Sequence, residues 1–153
     1  MQSSGRWCPR AVVAAVIKRD NSYLMVEEYI YGKAVLGQPN GHLEEGETLL
    51  QAVTREAREE TGIDIAPTAL IGVYRWVDPK SGVTQMRFTF AADIIEEYPD
   101  PVLDPAVINL HWMTRTAIEQ AQDRLRNPLV MRAIRDYESG QRFALGAIQE
   151  VWF

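Results

Sequence analysis

The sequence predicts an α/β fold in which a mixed β-sheet lies between helical layers. Residues 11–17 form a continuous apolar run rich in β-branched side chains, which is typical of a central strand buried on both faces. Residues 49–61 contain no Gly or Pro and place apolar side chains at helical spacing. Further strand-like segments follow, and two helix-like segments come last. This mixture of strands and late helices favours a sheet that is covered by helices.

Turn and capping residues delimit the elements before residue 63. A turn at residues 20–22 precedes a second strand at residues 23–29. Gln38-Pro39-Asn40-Gly41 predicts another turn, because Asn-Gly tolerates positive φ. We expect Thr48 to cap the helix and Gly62 to end it in the left-handed conformation. The stripe expected to face the core is Leu50, Val53, Ala57 and Thr61.

The second half of the chain predicts strands first and helices afterwards. Strands are expected at residues 70–77 and 86–95, and a short strand at residues 108–113 follows an acidic, Pro-rich loop at residues 96–105. Thr114 or Thr116 can cap the next helix. Its expected inward side chains are Ala117, Ile118, Ala121 and Leu125. Asn127-Pro128 opens a last helix that ends at Gly140.

Composition predicts a small enzyme of a reducing compartment. A chain of 153 residues with 46% hydrophobic residues can bury one core, so residues 1–153 are interpreted as one domain, with residues 1–9 as a loose leader. The single Cys8 rules out an internal disulfide and favours the cytoplasm. No apolar run of membrane-spanning length occurs, which argues against a membrane partner. The net charge of -5 argues against broad nucleic-acid affinity.

The acids of the first helix predict a divalent-cation site. Glu56, Glu59 and Glu60 fall at i, i+3 and i+4, so their carboxylates converge on one face. Like charges this close repel unless they are compensated, and hard cations such as Mg²⁺ or Mn²⁺ take oxygen ligands. Arg55 can pair with Glu59 one turn later and orient it. With two His and one Cys in the chain, a zinc site is not expected.

The alternative is that this segment is a solvated, ion-paired helix face. The hexamer R-E-A-R-E-E alone favours that alternative. The wider pattern does not, because seven fixed identities would match by chance on the order of once in 10⁸ windows. Those seven are Gly41, Glu47, Arg55, Glu56, Glu59, Glu60 and Gly62.

At these residues the chain resembles the Nudix hydrolase family, whose signature box it matches at every fixed position. The resemblance implies an α/β/α sandwich and a Mg²⁺-dependent hydrolase of nucleoside diphosphates linked to another group. It implies metal ligation by Glu56, Glu59 and Glu60, completed by Glu47 and the Gly41 carbonyl. Glu56, Glu59 and Arg55 would form the catalytic set, with Glu56 favoured as the base and Arg55 holding the carboxylates.

Substrate contacts lie outside this box. Strand alternation places Tyr74 and Trp76 on one face and Arg75 on the other, with Arg87 on the next strand. An aromatic ring can stack on a base or pyrimidine, and an arginine can hold a phosphate. The alternative is that Tyr74 and Trp76 only pack. Candidates for an extra loop acid are Glu96, Glu97, Asp100 and Asp104, although Ala106 stands where many family members carry one.

Residues 32–44 and 127–142 give a finer resemblance, to the bacterial phosphatase NudJ branch of the family. That branch implies nucleoside tri- and diphosphates, thiamine pyrophosphate and hydroxymethylpyrimidine pyrophosphate as substrates. The alternatives left open are a Nudix hydrolase of ADP-ribose, dinucleoside polyphosphates or RNA 5′ ends, and a non-catalytic nucleotide-sensing module. A sensing module would be expected to lose box acids, and this chain keeps them all. The chain is expected to be a monomer or weak homodimer.

Overall fold

The computed structural model describes residues 5–152; Met1 to Ser4 of the predicted leader and Phe153 lie outside the described residues. Helix α1 is Leu49–Thr61, α2 is Arg115–Gln120 and α3 is Leu129–Glu138, with 3-10 turns at Gln122–Arg124 and Leu145–Ala147. The strands are β1 Arg10–Arg19, β2 Ser22–Ile30, β3 Lys33–Gly37, β4 Asn40–His42, β5 Ile63–Val77, β6 Thr84–Glu97 and β7 Val107–Thr114.

Strand β1 is the centre of a mixed sheet, as predicted. It runs parallel to β6 and pairs antiparallel with β4 and, at its end, with β2. Beyond β6 lies the antiparallel β5, and β2 carries β3 and β7 on its two sides. The parallel pairing of β1 with β6 needs a long crossover, and α1 is part of the segment between them.

Helices cover both faces of the sheet, which confirms the predicted α/β/α arrangement. One core cluster packs α1 against the sheet through Ala52, Val53 and Ala57. The other packs α2 and α3 through Ile118 and Ile134. None of the helices within residues 5–152 is long and apolar enough to cross a membrane.

Both predicted ends of α1 are confirmed. The Thr48 side chain accepts a hydrogen bond from the Gln51 amide, and the Gln51 side chain accepts one from the Thr48 amide. Gly62 has φ +68°, and a Cβ there would lie 2.4 Å from Pro101. The loop that carries Pro101 packs on this end, where the Asp104 amide donates to the Glu59 carbonyl over 2.8 Å. The helix is therefore fixed at both ends.

Several boundaries differ from the sequence predictions. The turn expected at residues 38–41 is wrong in its second half, because Asn40 and Gly41 belong to β4 and neither has positive φ. Strand β5 starts directly after α1, and β6 extends through Glu97, so the loop begins at Tyr98. Helix α2 ends at Gln120 and continues as a 3-10 turn. Leu50 is only partly buried, since Ala52 takes the inward position with Val53 and Ala57.

Candidate active site

Arg55 is the centre of the carboxylate cluster. Its Nη1 donates to Glu56 Oε1 over 2.8 Å and to Glu59 Oε2 over 3.2 Å. Its Nε and Nη2 donate to both oxygens of Glu47, over 3.0 and 2.7 Å. Nη2 also donates to the His42 carbonyl over 3.0 Å. One guanidinium thus joins the helix carboxylates to the loop and strand that precede the helix, and the predicted contact between Arg55 and Glu59 is present.

Glu56 packs directly on the bare backbone of Gly41. A Cβ on Gly41 would lie 2.0 Å from the Glu56 Cδ and Oε1, so no other residue fits there while Glu56 keeps its position. The Glu56 side chain is 14% exposed. Burial raises the pKa of Glu56, although hydrogen bonding to Arg55 opposes the shift. A carboxylate with a raised pKa is a better proton acceptor, which suits the predicted role of Glu56 as base.

Glu60 is the most deeply buried acid of the box. Its Oε1 accepts the Asn40 amide over 2.7 Å, which ties α1 to β4. Burial raises the pKa of Glu60 to about 8, against an ordinary value of 4.5, and the nearby negative charge of Glu28 adds to the effect. The sequence predicted Glu60 as a member of the cluster, but it could not show that Glu60 is buried while Glu59 is exposed.

The chemistry of this donor set fits a hard divalent cation. Carboxylate oxygens are the ligands that Mg²⁺ and Mn²⁺ prefer, and the Glu56 carboxylate lies directly against the Gly41 backbone. The carboxylates do not form a ready-made cluster, however. Within residues 5–152 no three His, Cys, Asp or Glu side chains are grouped so that they could hold a metal ion. Glu47, Glu56 and Glu59 are turned towards Arg55 instead.

Of the loop acids proposed from the sequence, Asp104 lies against helix α1. Its amide donates to the Glu59 carbonyl. After burial and the other nearby groups, its charge is a further cause that raises the pKa of Glu56. Glu97 instead pairs with Arg19 over 2.6 Å. The sequence alone could not choose among these acids, because loop length does not fix where a loop returns.

The predicted substrate residues lie mostly on one face of the sheet. His42, Val12, Arg87 and Tyr74 are register partners across β4, β1, β6 and β5, so they form one row. The next row on this face contains Arg10, Gln85 and Trp76. Arg75 lies on the opposite face and is exposed, as alternation predicted.

Arg87 and Tyr74 are both held by protein partners. Arg87 is 1% exposed and donates to Gln38 Oε1 over 2.8 Å and to Thr89 Oγ1 over 3.3 Å. Burial lowers its pKa to about 10, so the guanidinium stays charged at neutral pH. The half-buried Tyr74 donates to Asp136 Oδ2 over 2.7 Å, which ties β5 to α3. Tyr74 therefore has at least a packing role.

Sequence reasoning missed three residues that shape this site. Asn40 contributes its backbone amide to Glu60, and Gln38 bridges Arg87 to the Val130 carbonyl. His42 contributes a carbonyl to Arg55. Two of these contacts use backbone atoms, which residue identity does not reveal. The one sequence feature that could have indicated these three residues is that they lie within three positions of Gly41.

Comparisons with known proteins identify the family of this chain. The family model described as the NUDIX domain matches residues 8–134. The chain is 41% identical over 140 residues to Phosphatase NudJ from Escherichia coli strain K12, covering 92% of this chain and 90% of that protein.

Solved structures place the fold in the same group. A NUDIX hydrolase from Nitrosomonas europaea has a TM-score of 0.92 and 41% identity, covering 94% of this chain and 98% of that one. A bifunctional NMN adenylyltransferase/ADP ribose pyrophosphatase from Francisella tularensis, solved with AMP and a Mn ion, shares the fold at a TM-score of 0.72 and 20% identity. Coverage there is 89% of this chain and 43% of that one. This chain therefore belongs to the NudJ-like branch of the Nudix family and is a hydrolase that acts on phosphoric anhydride bonds.

Proposed function

We propose that this chain is a Mg²⁺-dependent pyrophosphohydrolase of nucleoside tri- and diphosphates or of thiamine-type pyrophosphates. The observation that carries the proposal is the carboxylate set gathered by Arg55 beside the bare backbone of Gly41. Glu56, Glu59 and Glu60 would hold Mg²⁺, or Mn²⁺ in its place, with Glu47 and the Gly41 carbonyl. A bound divalent ion lowers the pKa of water and neutralises phosphate charge.

The residues of the chain then have separate roles in hydrolysis. The oxygen of a water molecule forms a bond to phosphorus while the bond from phosphorus to the bridging oxygen breaks, and the bridging oxygen leaves with the departing phosphate. Glu56 accepts the proton of the attacking water, and its burial beside Gly41 fixes the acceptor oxygen. Arg55 orients Glu47, Glu56 and Glu59 through hydrogen bonds to all three carboxylates.

The proposed substrate surface is the sheet face that carries the row of Tyr74 and Arg87, opposite the face on which α1 packs. Tyr74 and Trp76 offer rings for a base or pyrimidine, and Arg87 adds a buried positive charge. Arg75 lies on the opposite face, so we assign no contact to it in this proposal. A cytoplasmic location and a monomeric or weakly dimeric state remain predictions from the sequence.

The test is release of phosphate and pyrophosphate from a substrate panel with Mg²⁺. The panel contains nucleoside tri- and diphosphates, thiamine pyrophosphate, hydroxymethylpyrimidine pyrophosphate and ADP-ribose. Glu59→Gln is expected to lose about 10²-fold or more in kcat, the scale of removing one preorganised charged group. Glu45→Gln, at a neighbouring exposed acid, is the matched control and should retain wild-type rates.

Two results would contradict this proposal. The metal-carboxylate mechanism would be ruled out if turnover persisted after chelation of divalent ions or if Glu59→Gln retained the wild-type rate. Preference for ADP-ribose over every other compound would keep the mechanism and replace the proposed substrates.

A further inference from the structure

Arg126 lies beside the proposed active site, next to Gly37 and Asn40. Its side chain passes over Gly37, where an added Cβ would lie 3.8 Å from the Arg126 Cβ and Cδ. The same point is 3.7 Å from the Asn40 side-chain nitrogen. Since the Asn40 amide binds Glu60, Asn40 stands between Arg126 and the buried carboxylate.

The backbone at Arg126 is fixed, whereas its guanidinium has one exchangeable partner. The Arg126 amide donates to the Leu36 carbonyl over 2.9 Å, and Asn127 caps the start of α3 by accepting the Leu129 amide over 3.0 Å. The guanidinium pairs with Glu28 over 2.6 Å, and the side chain is still 30% exposed. The Arg126 side chain is therefore held at its backbone and by Glu28, but the protein does not enclose it completely.

Arg126 and Arg87 both contact the segment Gly37–Gln38, since the Arg126 side chain passes over Gly37 and Arg87 donates to Gln38. Arg87 is buried nearby and makes no ion pair with any carboxylate of residues 5–152. Two guanidinium groups thus lie at one short segment of the chain, where Glu28 is the carboxylate partner of Arg126.

We propose that Arg126 is a specificity-determining residue that exchanges Glu28 for a free terminal phosphate of the substrate. This inference rests on the proposed function. Arg126 would favour a di- or triphosphate chain that ends in an unsubstituted phosphate over a chain capped by a second sugar, as in ADP-ribose. An arginine recognises such a group well because its planar fork can donate two hydrogen bonds to one phosphate.

A neighbouring ion pair provides the matched control. Arg124 pairs with Glu27 as Arg126 pairs with Glu28, but Glu27 also binds His111 over 2.7 Å. Within residues 5–152, the hydrogen bonds and ion pairs of the Arg124 and His111 side chains are all with Glu27. Arg124→Gln therefore removes a similar ion pair without touching the proposed active site.

The experiment compares kinetics of the wild type, Arg126→Gln, Arg126→Lys, Glu28→Gln and Arg124→Gln with Mg²⁺. Arg126→Gln is expected to raise KM for a nucleoside triphosphate by about tenfold to a hundredfold, the value of a charged hydrogen bond, with kcat changed far less. KM for ADP-ribose should change less than about threefold on the same scale. Arg126→Lys should recover part of the loss, because the charge remains and the fork does not. Arg124→Gln should match the wild type.

The variant Glu28→Gln distinguishes a role of Arg126 in substrate recognition from a purely structural ion pair. If Arg126 only ties the chain to β2, removing either partner has the same effect, and Glu28→Gln reproduces Arg126→Gln. If Arg126 binds phosphate, Glu28→Gln frees it and leaves KM for the triphosphate equal or lower. Equal losses in these two variants, or equal loss on triphosphate and ADP-ribose, would overturn the proposal.

A binding measurement keeps this test independent of turnover. The probe is inorganic tripolyphosphate with Mg²⁺, measured by thermal stabilisation of each variant relative to its own unliganded state. Arg126→Gln is expected to weaken the apparent tripolyphosphate affinity about tenfold or more, and Arg124→Gln to leave it unchanged. If the wild type hydrolyses nothing on the panel, the proposed function fails, while this comparison still decides whether Arg126 binds phosphate.

Discussion

Gly41→Ala should inactivate the enzyme without unfolding it. The Cβ that the substitution adds would lie 2.0 Å from the Cδ and Oε1 of Glu56 and 2.4 Å from Oε2. Heavy-atom contacts below 3.0 Å are essentially never observed for a real Cβ. Gly41 pairs with Val13 in the sheet, so β4 has little freedom to retreat. The Glu56 carboxylate must move instead.

The structure gives the size of this movement and of its effect. To reach an ordinary contact of 3.4 Å, the Glu56 carboxylate must shift by about 1.4 Å, which also breaks its 2.8 Å hydrogen bond from Arg55. Misplacing a catalytic group by about 1 Å costs on the order of 10²-fold in rate, so we expect kcat to fall by about that factor. The clash involves the end of a flexible side chain, so the free energy of unfolding should change by less than about 1 kcal/mol.

The assay is Mg²⁺-dependent turnover together with denaturant unfolding, on three matched variants. Gly146→Ala adds a Cβ with no atom within 4 Å, and Gly37→Ala adds one whose nearest neighbours are 3.7 and 3.8 Å away. Neither glycine has positive φ. Gly146→Ala should retain wild-type activity and stability. Gly41→Ala with a kcat within about threefold of wild type would refute the reasoning, since it would show that the position of Glu56 is not needed.

Two further predictions concern the charges of the cluster. The metal-free protein should lose stability as pH rises from 4.5 to about 8, because folded Glu60 keeps a proton that the unfolded chain releases in this window. The free energy of unfolding should fall by at most about 5 kcal/mol across this pH window. Denaturant unfolding measured at both ends of the window should show a smaller difference for Glu60→Gln than for the wild type. Arg55→Lys keeps the charge but loses the five-donor fork, so it should lower the free energy of unfolding by about 1–3 kcal/mol and reduce kcat. Arg58→Lys, at the exposed pair with Asp64, is the control. It should change the free energy of unfolding and kcat much less than Arg55→Lys does.

The sequence predicted the parts of the site that depend on helical spacing. Helix α1, its cap at Thr48 and its end at Gly62 follow from local rules, because capping and φ preference act within a few residues. The approach of Arg55 to Glu59 is a one-turn contact of the same kind. The sequence predicted a mixed sheet but not the parallel pairing of β1 with β6. The register of that pairing depends on a crossover far longer than any local pattern.

The parts that sequence could not predict depend on contacts distant in the chain. Strand β4 has three residues, too few to show alternation, and its Asn-Gly pair favoured a turn. Gly41 was explained by backbone freedom, whereas the structure shows that it is required by the close approach of Glu56. Arg126 gave no signal at all, because its contacts with Glu28 and Leu36 span about ninety residues or more of chain.

Two buried groups on opposite faces of the sheet near β4 have no ion-pair partner among residues 5–152. On one face, burial raises the pKa of Glu60, so a cation bound beside it would favour its charged form. On the other, the guanidinium of Arg87 is buried with neutral partners among the described residues, a cost that an anion removes. A divalent ion bound to a pyrophosphate supplies both compensating charges in one ligand. Under the proposed function, these two groups would therefore favour a metal-bound pyrophosphate over the metal or the phosphate alone.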